Sequence, residues 1–323
     1  MSIPEKCLYC DCEQLRIRYQ KVSDRLKFVS GDWDLWECVE CNSLMLSPFP
    51  SPKEALSFYP NNYHIPNSQG IGSVRESIAY LEQRIFKFFF SSQVQQITRK
   101  ILHKLPCRPK VLEVGCGNGS RLDLFSKLDL DIIGIDVSRE DIEAVKAKGL
   151  NANLIDVNEI EKYFEPNSFD VVMSFDVLEH APNLKDTLNR ILLLLKPGGW
   201  LISGFPASDC FGSRILGKRW ATLSEVPRHV SVPSIQGATR LYEMVELKDI
   251  DYFPYPALTC AMVFGMSLVP NAATNHFYGA KFKLGIWLTR IFGGLTMLLL
   301  APLSFLENYF TKHPARFVMV GRK

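Results

Sequence analysis

The chain has 323 residues, 47% of them hydrophobic, with 37 Lys+Arg against 34 Asp+Glu and a formal net charge of +3. That apolar content, with 21 Phe, excludes a mainly disordered polymer, and the length allows one large domain or two ordinary ones. So slight a positive excess argues against a dedicated nucleic-acid binder.

Residues 1–12 carry Glu5 and Lys6 and no apolar stretch, so a cytoplasmic chain is expected, where cysteines serve as thiols or metal ligands more than as disulfides. Two C-x-x-C pairs, Cys7/Cys10 and Cys38/Cys41, open the sequence. Each pair can aim two thiolates at one point, and two pairs complete a tetrahedral site. One structural zinc on Cys7, Cys10, Cys38 and Cys41 is therefore expected, closed to substrate. Cys12 reads as a bystander, and Cys107, Cys116, Cys210 and Cys260 as small packed side chains. Between the pairs, Leu15, Ile17 and Tyr19, then Leu26 and Phe28, alternate as strands of a ribbon do. Asp32, Asp34, Glu37 and Glu40 make its second half a poor phosphate surface. A proline-rich linker from Ser47 to Pro52 leads into a short helix over 53–59, and the glycine- and serine-containing stretch 67–73 marks a boundary near 70. Tyr63 and His64, in this linker, are candidates for a lid.

Helical periodicity over 78–105 stops at Pro106. Residues 110–120 then read as an apolar strand, a turn carrying Gly115, Gly117 and Gly119, and the start of a helix over 121–128. A second strand, 131–136, ends on Asp136, placed to accept hydrogen bonds from ribose hydroxyls. A dinucleotide fingerprint wants a further glycine where Ser120 stands, whereas Glu113 ahead of a G-x-G-x-G turn suits a cofactor with an amino-acid tail and no phosphate.

With those residues in view, 111–203 resembles a class I S-adenosylmethionine (SAM)-dependent methyltransferase. Val111-Leu-Glu-Val-Gly-Cys-Gly-Asn-Gly119 matches that family's first motif, Gly134-Ile-Asp136-Val137 its ribose-binding acid, and Ile155-Asp156-Val157 its adenine contact. Phe169 to His180, ending in Leu-Glu-His, resembles the fourth strand and its turn, and 195–203 the entry to the fifth. The resemblance implies a Rossmann-like α/β sheet of seven strands in the order 3-2-1-4-5-7-6. It also implies a SAM site drawn from Glu113, Gly115, Cys116, Gly117, Gly119, Asp136, Val137, Asp156, Val157, Ser174 and His180. The cysteine pairs, linker and following core together resemble bacterial methyltransferases of polysaccharide or secondary-metabolite pathways that carry an N-terminal zinc ribbon; Asn42 stands where their second knuckle usually has glycine. Past the fifth strand, Trp220 and Pro227-Arg-His229 resemble the family's acceptor-side loop. His229 is the first candidate for base or orienting group, Glu225 a second, and Arg228 with Arg219 a candidate clamp for an anionic acceptor.

Helix 235–245 and strand 246–253 follow, and 315–323 reads as the last strand. The expected parts are thus a ribbon (1–50), a linker or lid (51–77), a SAM-binding core (78–253 with 315–323) and an apolar helical insertion (254–314). Residues 252–280 and 291–306 contain no Asp, Glu, Lys or Arg, yet a single membrane crossing would strand the last strand on the wrong side. Two readings stay open: peripheral contact with the inner face of a membrane through 257–310, flanked by Lys281, Lys283, Arg290, Lys312 and Arg316, or a cap over the site or a homodimer interface. The expected activity is methyl transfer to a small-molecule, glycan or lipid-linked acceptor, at oxygen first with nitrogen and carbon left open, and with no nucleic-acid partner. RNA or protein methylation is the alternative enzyme reading, and a SAM-binding, membrane-associated module without turnover the non-enzymatic one.

Overall fold

A computed structural model describes residues 4–59, 90–268, 295–296 and 299–323. Tyr63, His64, the boundary near 70, Lys281, Lys283 and Arg290 lie outside the described residues. Strands β1 (Leu15–Ser23), β2 (Asp32–Cys38) and β3 (Leu44–Ser47) form an antiparallel meander. The alternation at Leu26 and Phe28 does not extend this ribbon. Asp24 carboxylate oxygens accept the backbone N–H groups of Leu26, Phe28 and Val29 and fold that stretch into a loop. Helix α1 (Pro52–Ser57) follows, with Ser51 and Glu54 forming a capping box. Residues 90–100 form α2, which ends in a single 3-10 turn before Pro106.

The core sheet begins with β4 (Lys110–Val114), α3 (Ser120–Phe125), β5 (Asp131–Asp136), α4 (Arg139–Ala147) and β6 (Ala152–Leu154). It continues through β7 (Phe169–Phe175), α5 (Leu184–Leu194) and β8 (Leu195–Pro206). The strands of this half are apolar and buried on both faces, as a parallel sheet with helices on each side requires. After β8 come α6 (Phe211–Leu216), β9 (Ser231–Val232), α7 (Ile235–Met244), β10 (Lys248–Pro254), α8 (Ala257–Leu268) and, at the C-terminus, β11 (Arg316–Arg322). The seven-stranded sheet has the order β10-β11-β8-β7-β4-β5-β6, with β11 antiparallel to both neighbours. That is the order 3-2-1-4-5-7-6 expected from the motifs.

Strand β9 leaves this unit and pairs with β3, Leu44 opposite Val232 and Met45 opposite Ser231. Two residues following the core's fifth strand thereby become the fourth strand of the N-terminal sheet. No helix among the described residues is long and apolar enough to cross a membrane.

Candidate active site and metal centre

The C-terminal ends of β4, β5 and β7 meet at one edge of the core sheet, where a doubly wound fold places its ligand. Gly115 and Gly119 have φ of +70° and +73°, and a Cβ on Gly115 would come within 2.3 Å of the Val177 side chain, so only glycine fits there. A Cβ on Gly117, by contrast, would meet nothing within 4 Å, which leaves the middle of the turn open to a ligand. The turn is braced by Asp136, whose Oδ2 accepts from the Gly117 N–H at 2.8 Å and whose Oδ1 accepts from the Ser138 N–H at 2.9 Å. Each oxygen retains a second lone pair for a hydroxyl. Val137 beside it is exposed, whereas Cys116 packs inward against Gly134. Asp156 accepts from the Asn158 backbone and caps the turn that begins at Val157.

Two carboxylates near this edge are buried with neither oxygen hydrogen-bonded: Glu113 and Glu179; Ser174 Oγ is likewise unpartnered. Burial lifts the Glu113 carboxyl to about 7 against the pull of Arg121. A buried acid of this kind calls for a donor, and the ammonium of an amino-acid-tailed cofactor supplies one. The glycine turn, Glu113 and Asp136 therefore fit SAM on their own chemistry. Asp136→Ala removes both the turn brace and the hydroxyl acceptor, and should weaken SAM binding by about 10- to 100-fold; calorimetry that returns an unchanged affinity would remove this carboxylate from the cofactor site.

Next to Glu179 lies a charged cluster the sequence did not reveal. Burial pushes the Asp176 carboxyl up, but the guanidinium groups of Arg316 and Arg121 outweigh it and hold it below its ordinary range. Arg316, expected among the flanking charges of a membrane-contacting segment, is instead drawn into this cluster and over the Tyr255 ring. Burial without a paired cation pushes Glu179 well up.

His229, the first candidate base, faces His180, which was expected at the SAM site, with ring centroids 4.6 Å apart. His180 Nδ1 lies 3.0 Å from the Arg228 carbonyl and 2.8 Å from the Tyr59 hydroxyl, and His229 Nδ1 lies 2.8 Å from the Thr222 carbonyl. The Thr222 carbonyl only accepts, so His229 carries its hydrogen on Nδ1 and its lone pair on Nε2; the same tautomer is assigned to His180, where one Nδ1–H faces the Arg228 carbonyl with the Tyr59 oxygen as a second acceptor. Burial lowers both imidazoles, His180 to about 3 and His229 to about 4, so both are neutral at pH 7. Ligand atoms of Glu179, His180 and His229 lie within 4.8 Å of one another.

Arg228, expected to clamp an acceptor, is not presented to one. Its side chain is 0% exposed, with Nη2 2.8 Å and Nη1 3.1 Å from the two Asp24 oxygens and Nε 3.0 Å from Glu225 Oε2. Glu225, the second candidate base, is thereby engaged with Arg228. Arg219 sits in an exposed turn.

Distant in sequence from that loop, the four expected metal ligands converge. Cys7 and Cys41 Sγ are 3.5 Å apart, Cys10 and Cys38 Sγ 3.6 Å, and all four lie within 4.8 Å of one another. A zinc tetrathiolate with bonds of about 2.3 Å has sulfur–sulfur edges of about 3.8 Å, so the cluster fits that ion. Hydrogen bonding with Cys7, and further with Ser43, pulls the Cys41 thiol down toward the thiolate form. Asn42 takes the left-handed conformation, φ +59°, that glycine would otherwise supply.

A methyltransferase-domain family matches residues 80–250, just over half of the chain. The ubiquinone biosynthesis O-methyltransferase of Albidiferax ferrireducens is 33% identical over 98 residues, covering 28% of this chain and 39% of the relative. That of Ralstonia nicotianae is 34% identical over 95 residues, covering 28% and 40%. The chain thus spans about two-fifths of the length of these curated relatives. An Archaeoglobus fulgidus SAM-dependent methyltransferase superposes with a TM-score of 0.47 at 17% identity, covering 75% of this chain and 94% of that one. The [4+2]-cyclase SpnF superposes at 0.49 and 17%, covering 72% and 80%. With the strand order, the glycine turn and the match over 80–250 in agreement, the chain belongs to the class I SAM-dependent methyltransferases.

Proposed function

We propose that the protein methylates a hydroxyl oxygen of a small-molecule, glycan or lipid-linked acceptor, with His229 taking up the hydroxyl proton and His180 orienting the acceptor beside it. The observation that carries this reading is the pair of neutral imidazoles, each held through Nδ1–H by a backbone carbonyl with Nε2 left as acceptor. When bound, SAM supplies a methyl group already activated as part of a sulfonium. The protein's own part is to align the oxygen and receive its proton at Nε2 as the oxygen–carbon bond forms. The relatives named O-methyltransferases support oxygen as the acceptor atom. A membrane-delivered acceptor is supported by the C-terminal helical segment, where Leu299, Tyr309 and Phe310 are at least 70% exposed.

One observation favours a second reading. Glu179, His180 and His229 offer a carboxylate and two imidazoles at ligating separation, and each Nδ1–H bond to a carbonyl is the outer support a metal-bound histidine uses. A divalent cation there would polarise the acceptor oxygen, and the histidines would be ligands.

One assay of S-adenosylhomocysteine release tests both readings, using hydroxylated small molecules, lipid-linked glycans in anionic vesicles, and RNA or protein as acceptors. Turnover on a hydroxylated acceptor without added Mg2+ or Mn2+ supports the proton-acceptor reading, and strict dependence on the cation selects the second. Turnover on RNA or protein alone would overturn both.

A further inference from the structure

Residues 228–234 belong to the core by sequence but are held by the N-terminal unit at five of seven positions: 228, 230, 231, 232 and 234. The Val230 N–H donates to the Glu179 carbonyl, whereas the Val230 carbonyl accepts from the Leu46 N–H of β3, at 3.1 and 2.9 Å. One residue therefore joins the Leu-Glu-His turn to the cysteine-bearing sheet. Ser231 Oγ meets the Tyr9 hydroxyl at 2.8 Å, Ser234 Oγ donates to the Cys41 carbonyl, and Ser43 Oγ accepts from the Ser234 N–H at 3.1 Å. Alone in this set, the Arg228–Asp24 contact pairs full charges. Both side chains are 0% exposed, two guanidinium nitrogens meet two carboxylate oxygens, and the Phe28 ring lies 5.2 Å from the guanidinium carbon. Asp24 also accepts three backbone N–H groups of its own loop, so the carboxylate is rigid before it meets the arginine.

We propose that Asp24, through Arg228, is a positioning residue for the histidine pair, so that the N-terminal sheet forms a wall of the acceptor site. The chain of contacts is short. Asp24 and Phe28 fix the Arg228 side chain; the Arg228 carbonyl receives the His180 Nδ1–H; the next residue is His229, whose N–H donates to the Glu225 carbonyl at 2.9 Å and whose ring is held at Thr222. Both tautomers depend on where one buried arginine places its backbone. A free neutral imidazole has no such constraint, so the loop decides which nitrogen of each ring faces the acceptor. This inference rests on the acceptor-side reading of the pair for its purpose, but its geometry stands apart from any assay of turnover.

The test reads the histidine tautomers directly, by 15N NMR of histidine-labelled full-length protein at neutral pH, with His180 and His229 assigned through single His→Gln variants. The wild type should show the protonated-nitrogen shift at Nδ1 and the lone-pair shift at Nε2 in both rings. Asp24→Asn removes the charge and keeps one of the two oxygens, enough to accept Phe28 and Val29 as Oδ2 does while Leu26 loses its acceptor. It should abolish the Nδ1–H signature of His180, and weaken that of His229, while SAM binding by calorimetry is unchanged. Breaking one partner of a buried pair is costly, so Asp24→Asn/Arg228→Met, which removes both charges at similar volume, is the second variant. It should recover thermal stability yet leave the His180 tautomer lost. Wild-type tautomers in either folded variant would overturn the proposal, because the pair would then serve stability alone. Methyl transfer unchanged in a variant whose tautomers have shifted as stated would instead count against the functional reading and leave the positioning intact.

Discussion

Cys41→Ser is expected to release the metal from the cysteine cluster and to unfold the N-terminal sheet. Wild-type protein purified under reducing conditions should carry about one zinc per chain, and the variant a small fraction of that, both read by elemental analysis. The size of the effect follows from what else can hold this sheet. Structural zinc contributes on the order of 10 kcal/mol in small metal-dependent units, as much as the whole stability of an ordinary domain. Cys7, Cys38 and Cys41 are fully buried within the cluster, so a vacated cluster loses the bonds that hold the two knuckles together. Because β9 is a strand of the same sheet, the damage should travel into residues 228–234 and reduce turnover as well. A folded, reduced wild type without metal would defeat the four-cysteine assignment.

His229→Ala should lower kcat by about two to four orders of magnitude, the usual contribution of a positioned proton acceptor, with SAM affinity unchanged by calorimetry. A kcat within a few-fold of wild type would remove His229 from the reaction. The same residue sets a pH dependence whose sign can be worked out. Its folded value is depressed, to about 4, while in the unfolded chain it is near 6.5. Between those values the unfolded state binds the extra proton and the folded state does not. Stability is therefore intact above about pH 6.5 and is lost as pH falls toward 4, by on the order of 3 kcal/mol over the full window. His180, lowered for the same reason of burial and further by His229, adds to the trend. Denaturant midpoints at pH 7 and pH 5 should show the fall in the wild type and a smaller fall in His229→Gln; equal falls would mean that other groups carry the acid sensitivity.

Local features of the core were legible because their reasons are local. Gly115, Gly117 and Gly119 mark a turn that few other residues tolerate, Asp136 ends a strand whose apolar run is visible, and Pro106 stops a helix. The paired C-x-x-C motifs were legible for the same reason, since each knuckle is four residues long. Leu26 and Phe28 misled because alternation reports which way side chains would point in a strand, not whether the backbone pairs. Asp24 captured the N–H groups that a strand would have offered to a neighbour.

Arg228 shows the limit most clearly. From its neighbours Pro227 and His229 it reads as an acceptor clamp, and nothing near it in the chain argues otherwise. Its partner Asp24 is 204 residues away, and the pairing of β9 with β3, with the contacts of Tyr19 to Ser213 and Arg25 to Arg219, brings the two loops together. Tyr59 at His180, and the Asp176–Arg121–Arg316 cluster, were hidden by the same distance. The sequence by itself determined the fold class, the cofactor turn and the four thiols, because hydrophobic period, glycine conformation and ligand spacing act over a few residues. Tertiary structure alone decided that the cysteine sheet takes in residues 231–232 as its fourth strand and that buried Arg228 pairs with Asp24, because a charge in the interior needs a partner and the chain can supply it from any distance.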